Sequence, residues 1–256
     1  MARVTLFHTS DMHDKLTPAL AARLHDLKES HPDSLMLDSG DAIWAGNIFW
    51  RRGGEPILDL MNSVPYKAMC VGNREFHFRR RGLTAKIGRA QFPFVSANLR
   101  ASVPGLAEEP SLAASMMSGV MSFVRFRLDP IVVAVFGLSV PCITQRMLAR
   151  KVSDFYFDDP VEAAAQLVPK LRPGCDLLVA LSHIGLKRDI ELAEQVKGID
   201  LILGGHTHTI TQQPERVGDA FVLHSGHHAH FVRKVDIKLK AGKVSLETEL
   251  ISLGKA

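Results

Sequence analysis

Short apolar runs alternate with amphipathic stretches through the first two hundred or so residues of this chain. The runs at 4–8, 35–38, 68–71, 94–97, 131–138, 176–181 and 201–203 read as strands. Between them, 18–29, 57–62, 161–171 and 189–196 carry apolar residues three and four apart, the spacing of helices. Asp159-Pro160 suits a helix start, with proline in the first turn. Strands alternating with helices predict a layered α/β fold. The C-terminal part changes character: 221–224, 231–239 and 243–252 are strand-like, and Ala241-Gly242 suits a hairpin connection. These strands either extend the sheet antiparallel or form a second one. Residues 101–122, rich in Ala, Ser, Met, Gly and Pro with a weak helical pattern, are expected to make a mobile excursion over the site.

A length of 256 residues fits one large domain spanning 1–256, and 46% hydrophobic residues suffice for a full core. The charge of +4 tolerates anionic substrates without proving them. The basic residues are spread out apart from Arg51-Arg52 and Arg79-Arg80-Arg81, which read as solvated loops, an anion-attracting rim being the alternative. Nothing resembles a nucleic-acid-binding motif. Cys70, Cys142 and Cys175 are far apart, odd in number and set in or beside apolar runs, so buried free thiols and a reducing compartment are expected. The N-terminus enters a strand without the pattern of a secretory signal, and no apolar run is long enough to cross a bilayer. The expectation is a cytoplasmic protein with no membrane partner. Oligomeric state is open, a homodimer being one option.

Five polar clusters change the picture: Asp11-Met12-His13, Gly40-Asp41, Gly72-Asn73-Arg74-Glu75, Ser182-His183 and Gly204-Gly205-His206-Thr207-His208. Each directly follows a predicted strand, and in an open α/β sheet ligands bind beyond the carboxyl ends of strands. The clusters should therefore meet at one edge. Their aspartate, asparagine and histidine side chains are donors suited to Mn, Fe, Zn, Co or Ni, with Mn or Fe favoured. Taken singly each motif is weak. A histidine at a strand end is more often structural, and Gly-Asp is common in turns. All five in this order leave little room for coincidence.

That order resembles the calcineurin-like metallophosphoesterase superfamily, and within it the catalytic domain of the 5'-nucleotidase branch. The resemblance extends through Leu6-Phe7-His8-Thr9-Ser10-Asp11, Phe94-Val95-Ser96-Ala97-Asn98, Leu181-Ser182-His183-Ile184-Gly185 and the stretch from Asp200 to Thr209. It implies a four-layer α/β/β/α sandwich of two mixed sheets flanked by helices. It implies that Asp11, His13 and His208 hold one metal, that Asn73, His183 and His206 hold a second, and that Asp41 bridges them. It further implies a metal-bridging hydroxide as nucleophile, a small-molecule phosphomonoester or phosphodiester as substrate, and contacts to that substrate from Asn98 and from one of the histidines near 227, of which His227 is chosen.

The sequence departs from the family at two places. Histidine normally follows the motif asparagine, with an aspartate three residues later; here Arg74 and His77 stand there. Arginine does not give up its proton near neutral pH, but it can clamp phosphate oxygens. Three readings compete. Arg74 clamps phosphate while His77 serves as acid; or only esters with undemanding leaving groups are cleaved; or the chain holds metals as a weakened phosphate-ligand binding or regulatory module. The chain also ends where the two-domain nucleotidases continue into a base-gripping domain, so the resemblance supports phosphoester hydrolysis better than nucleotide specificity. Trp44, Phe49 and Trp50, close after Asp41, either line the cleft or pack a helix onto the sheet.

Overall fold

The computed structural model of the chain describes residues 2–102, 110–240 and 242–254. In chain order these form β1 (Ala2–Thr9), α1 (Pro18–Glu29), β2 (Leu35–Asp38), α2 (Ile57–Ser63), β3 (Ala68–Cys70), α3 (Arg80–Ile87), β4 (Phe94–Val95), β5 (Leu99–Ala101), α4 (Pro110–Ser118) and β6 (Phe123–Leu128). There follow β7 (Ile131–Ser139), β8 (Phe155–Phe157), α5 (Pro160–Leu171), β9 (Leu177–His183), α6 (Leu186–Gln195), β10 (Leu201–Gly204), β11 (Glu215–Val217), β12 (Ala220–His224), β13 (Phe231–Lys240) and β14 (Lys243–Ser252).

Two six-stranded mixed sheets face each other. The first runs β14-β13-β1-β2-β3-β4 and the second β11-β12-β10-β9-β7-β6, while β5 and β8 form a separate pair. Leu6, Leu37, Cys70 and Val235 of the first sheet interlock with Val133, Val179, Leu181 and Leu203 of the second in one buried cluster. Outside the first sheet, Phe7, Met36 and Met69 pack on Leu20 and Leu24 of α1, Leu58 of α2 and Leu83 of α3. Outside the second, Phe136, Leu178 and Ile202 pack on Val161, Ala164 and Val168 of α5 and Leu192 of α6. The layers are therefore helix, sheet, sheet, helix, the α/β/β/α sandwich expected.

Local chemistry explains the element starts. Thr17 caps α1 by accepting from Leu20 N at 3.3 Å, with Pro18 in the first turn. Asp159 caps α5, its Oδ1 accepting from Val161 N at 2.8 Å and Glu162 N at 3.2 Å. Strand 94–97 ends two residues early because Ser96 N and Ala97 N turn away to donate to Met121 O and Gly137 O. β13 and β14 pair antiparallel up to Lys240↔Lys243 and extend the first sheet, whereas β12 joins the second.

Two expectations need correcting. The run from Arg79 to Arg81 is solvated, as read, but Arg80 and Arg81 form the first turn of a helix rather than a loop. Of the excursion at 101–122, residues 103–109 lie outside the described residues, and 110–118 is the helix α4, whose Ala114 is buried in the core of the first helical layer. Of the cysteines, Cys70 is buried while Cys142 and Cys175 are half-buried, all three free. No described helix is long and apolar enough to cross a membrane.

Candidate metal centre

The five clusters lie where parallel strands of both sheets end. Asp11 and His13 follow β1, Asp41 follows β2 and Asn73 follows β3; His183 closes β9, and His206 and His208 follow β10. Bringing so many side chains inward forces the backbone: Asp11, His13, Asp41, His206 and His208 all have positive φ, between 48° and 76°. Non-glycine residues held there cost free energy, and such strain collects at functional sites.

The donor atoms converge in two groups. Those of Asp11, His13 and His208 lie within 4.8 Å of one another, and so do those of Asp11, Asp41 and His183. His13 Nε2 and His208 Nε2 face each other at 2.8 Å. Asn73 Oδ1 lies 3.3 Å from His183 Nε2 and 3.1 Å from His206 Nδ1, and His183 Nε2 lies 3.5 Å from Asp41 Oδ1. Asp11 carries both groups. Its carboxylate accepts from Ser10 Oγ and, at 3.0 Å, from His206 N.

Electrostatics favour cations here. Asp11, Asp41 and Glu75 are buried carboxylates drawn to one place. Burial opposes charge on His183, but Asp41, Asp11 and Glu75 outweigh it and push its pKa up to about 10. The same pairing overcomes burial to hold Asp41 below the usual carboxylate range. Without a metal, a proton on His183 supplies the positive charge the carboxylates demand; a cation bound at Nε2 would take that proton's place. Burial lowers the pKa of His13 to about 4, and burial and the His183 charge lower that of His206, leaving both neutral and able to act as ligands. Mixed oxygen and nitrogen donors, facing imidazole nitrogens and excess buried negative charge together fit two transition-metal ions.

A supporting layer fixes the donors, and most of it is invisible to short-range sequence reading. His183 donates through Nδ1 to Ser39 O at 2.7 Å, which leaves Nε2 for a metal. Ser39 Oγ donates to Leu203 O and meets His8 Nε2 at 2.8 Å, while His8 Nδ1 meets Ser225 Oγ at 2.6 Å. Beneath Gly204, Asp189 accepts from Ser182 Oγ and pairs with His224 Nε2 at 2.7 Å. Glu75 accepts from Asp41 N, Gly72 N and Ile43 N, binding two ligand loops to one carboxylate; burial and the nearby Asp41 raise its pKa. Glycine is required at Gly72, where a Cβ would fall 2.3 Å from Asp41 Oδ1, and at Gly205, where it would fall 2.4 Å from Ser10 Oγ. One signal was available for this layer. Asp189 shares the buried face of α6 with Leu192 and Ala193, an acid on the apolar side of a helix.

The remaining predicted residues divide. Arg74 reaches the centre: its Nε lies 3.8 Å from Asp41 Oδ2, its Nη1 donates to Trp44 O at 2.6 Å, and its backbone N donates to Asp41 Oδ1 at 2.7 Å. His77 does not come with it. Its ring is buried, stacks on Phe78 with centroids 4.8 Å apart, and accepts from Arg79 N at 2.9 Å. No hydrogen bond or ion pair among the described residues joins it to Arg74 or a metal-ligand candidate. Asn98 is buried and saturated as well: its Nδ2 donates to Ser139 O and Asp158 O, and its Oδ1 accepts from Ser139 N and Ser96 Oγ. It ties loops together and presents no free polar atom to a substrate. His227 lies beside His208, ring centroids 4.8 Å apart, with a buried Nδ1 that has no partner. Trp44 and Phe49 are exposed rather than packed under a helix.

A family model, calcineurin-like phosphoesterase, matches residues 4–209, and the chain belongs to that family. It is 29% identical over 264 residues to the trifunctional nucleotide phosphoesterase protein YfkN of Bacillus subtilis (strain 168), covering 91% of this chain and 18% of that protein. It is 28% identical to the 5'-nucleotidase of Bos taurus, covering 80% of this chain and 38% of that one. In structure it is similar to a 5'-nucleotidase precursor from Thermus thermophilus, with a TM-score of 0.77 and 24% identity over 98% of this chain and 54% of the other. The chain thus spans less than half the length of the curated relatives named here.

Proposed function

We propose that the chain is a dinuclear-metal-dependent phosphoesterase acting on small-molecule phosphoesters. The observation carrying this reading is the meeting of Asp11, His13, Asp41, Asn73, His183, His206 and His208 at the ends of strands from two sheets, five of them on strained backbone. Asp11, His13 and His208 would hold one ion, Asn73, His183 and His206 the other, and Asp41 would lie between them. Two cations so held lower the pKa of a shared water and neutralise phosphate oxygens.

The chain's own groups then have distinct tasks. The Arg74 guanidinium, beside Asp41, binds the phosphate oxygens and stabilises charge that grows in the transition state. It holds its proton, so it does not protonate a leaving oxygen. His77, packed against Phe78, does not fill that role either. The esters favoured are those whose leaving group needs little protonation. His227, next to His208, would contact the phosphate.

The test is Mn²⁺-dependent release of nitrophenol from mono- and bis-p-nitrophenyl phosphate, with Asp41→Asn as control. Turnover requiring both the metal and Asp41 is expected. The alternative, a metal-holding binding module, draws on the lack of an acid at Arg74 and His77. Protein shown to hold two ions yet inert toward both esters would establish it instead.

A further inference from the structure

Six of the eight exposed large apolar side chains among the described residues lie on two segments: Trp44, Ile48 and Phe49 on one, Met147, Leu148 and Val152 on the other. Between the segments is a cavity of about 290 Å³, walled by Ile48, Phe76, Phe78, Ile143 and Val152. Soluble surfaces rarely gather so much apolar area without a ligand or partner.

Its walls rise from the same strand ends as the metal-ligand candidates. Ile48 is on the loop after Asp41, Phe76 and Phe78 follow Asn73 and Arg74, and Ile143 follows β7, whose Ser139 pairs with His183. Phe76 is three residues from Asn73, so their Cα atoms are within about 11 Å. Cys142, which also lines the cavity, is close enough for the Asp41 charge to add to the upward push of burial on its thiol.

The loop from Trp44 to Phe49 is also fixed. Arg74 Nη1 donates to Trp44 O at 2.6 Å, and the buried Lys86 ammonium donates to Gly46 O at 2.7 Å, Arg74 O at 2.6 Å and Phe76 O at 3.0 Å. One guanidinium thus touches both the Asp41 carboxylate and the backbone of the apolar wall. An ester whose phosphate sits against Arg74 has its organic group beside this cavity.

Resting on the phosphoesterase reading, we propose that the cavity is the leaving-group subsite and selects phosphoesters of apolar, planar alcohols the size of one or two rings. The volume suits such a group, at the lower edge of the roughly 300–1,000 Å³ of drug-sized ligand pockets. Apart from the amide of Asn47, the walls offer it apolar contact and no charged partner, so a sugar or a short polar alcohol gains less there than a ring.

Phosphonates test this without turnover and without leaving-group chemistry, because their P–C bond is not cleaved. Binding of benzylphosphonate and methylphosphonate to the Mn²⁺-loaded protein is measured by titration calorimetry for wild type, Ile48→Asp and Val152→Asp. Both residues are solvent-exposed, at 69% and 58%, so the variants should fold. Benzylphosphonate should bind wild type at least tenfold more tightly than methylphosphonate. In each variant the ratio should fall below about threefold, because benzylphosphonate loses far more affinity than methylphosphonate. Tenfold is about 1.4 kcal/mol, which burial of about 55 Å² of apolar surface supplies.

Equal affinities in wild type, or a ratio that survives both substitutions, overturns the subsite. Failure of both phosphonates to bind protein that holds two ions overturns the phosphoesterase reading and the subsite with it. A solution dimer that Ile48→Asp dissociates, with the ratio unmoved, assigns the patch to a second copy of the chain and overturns the proposal.

Discussion

Asp38, the last residue of β2, offers a test of the electrostatics beneath the metal centre. It is fully buried; its Oδ2 accepts from Thr9 Oγ1 at 2.7 Å and its Oδ1 from Gly40 N at 2.8 Å. Burial raises its pKa from 3.8 to about 8, against the help of those two hydrogen bonds and with added repulsion from Glu75 and Asp11. A carboxyl whose folded-state pKa is raised stabilises nothing by ionising. The unfolded chain releases the proton near pH 4 and the folded chain keeps it until near pH 8. Stability is therefore whole below pH 4 and drains away between pH 4 and 8. At about 1.4 kcal/mol per unit, the loss reaches about 4 kcal/mol by pH 7.

Asp38→Asn is isosteric with the protonated carboxyl. Its oxygen can still accept from Gly40 N, and its amide can donate to Thr9 Oγ1, which turns its proton to Tyr66 Oη at 2.9 Å. Urea unfolding of the metal-free protein in chelator, from pH 4.5 to 8, reads the difference between variant and wild type. The variant should be close to wild type at the acid end and more stable by about 4 kcal/mol at pH 7. A difference that is flat across this range, or a variant less stable than wild type at pH 8, would refute the reasoning.

Other perturbations probe other layers. Gly72→Ala drives a methyl into Asp41 and should cost about 1–3 kcal/mol of stability and about 10–100-fold in metal affinity; wild-type metal binding would show that the loop yields freely. Lys86→Met strips the carbonyls of Arg74 and Phe76 of their ammonium, whereas Gly46 O keeps its bond from Phe49 N. Nitrophenyl phosphate hydrolysis should fall about 10–100-fold in kcat/KM with two ions still bound, and unchanged kinetics would detach Lys86 from Arg74 placement. Loading with Mn²⁺ at a hundred times its dissociation constant should stabilise the protein by about 2.7 kcal/mol for each ion held, a rise of roughly 5–10 °C in Tm per ion that chelation reverses. A Tm indifferent to divalent metals would count against the donor set.

The layered fold was legible because its central strands are uniformly apolar and bounded by turn residues, and because helix 18–29 has a capping threonine, a proline and a clean apolar stripe. The donors were legible by their position after strands, and the structure gathers all seven. What escaped reading has physical causes. α3 begins with Arg80-Arg81-Gly82, residues that signal a solvated turn, and has no side-chain cap; only Leu83 and Ile87 on one face betray it. β5 and β8 are three residues each, too short to show a period. β6, with Arg125 and Arg127 alternating against Val124, Phe126 and Leu128, did carry a strand signal, hidden at the end of a small-residue stretch. Arg74 and His77 could not be separated by spacing. Which of two nearby side chains faces the centre depends on the turn after β3, and that turn is set by Glu75 and Lys86 from within. The supporting hydrogen bonds of His8, Ser39 and Ser225 link residues far apart in sequence, so no local pattern announces them.

Under the proposed assignment each ion draws donors from both sheets: Asp11 and His13 from the first with His208 from the second, and Asn73 from the first with His183 and His206 from the second. The centre is then a pair of rivets through the seam of the sandwich. Neither half-site exists in a chain that has formed only one sheet, so metal capture waits until the two have docked and marks the completion of folding. It follows that a substitution far from any donor, in the apolar seam around Val4 and Leu177, would be felt as lost metal before it was felt as lost structure. The ions in turn would act as a gauge of sheet-to-sheet distance.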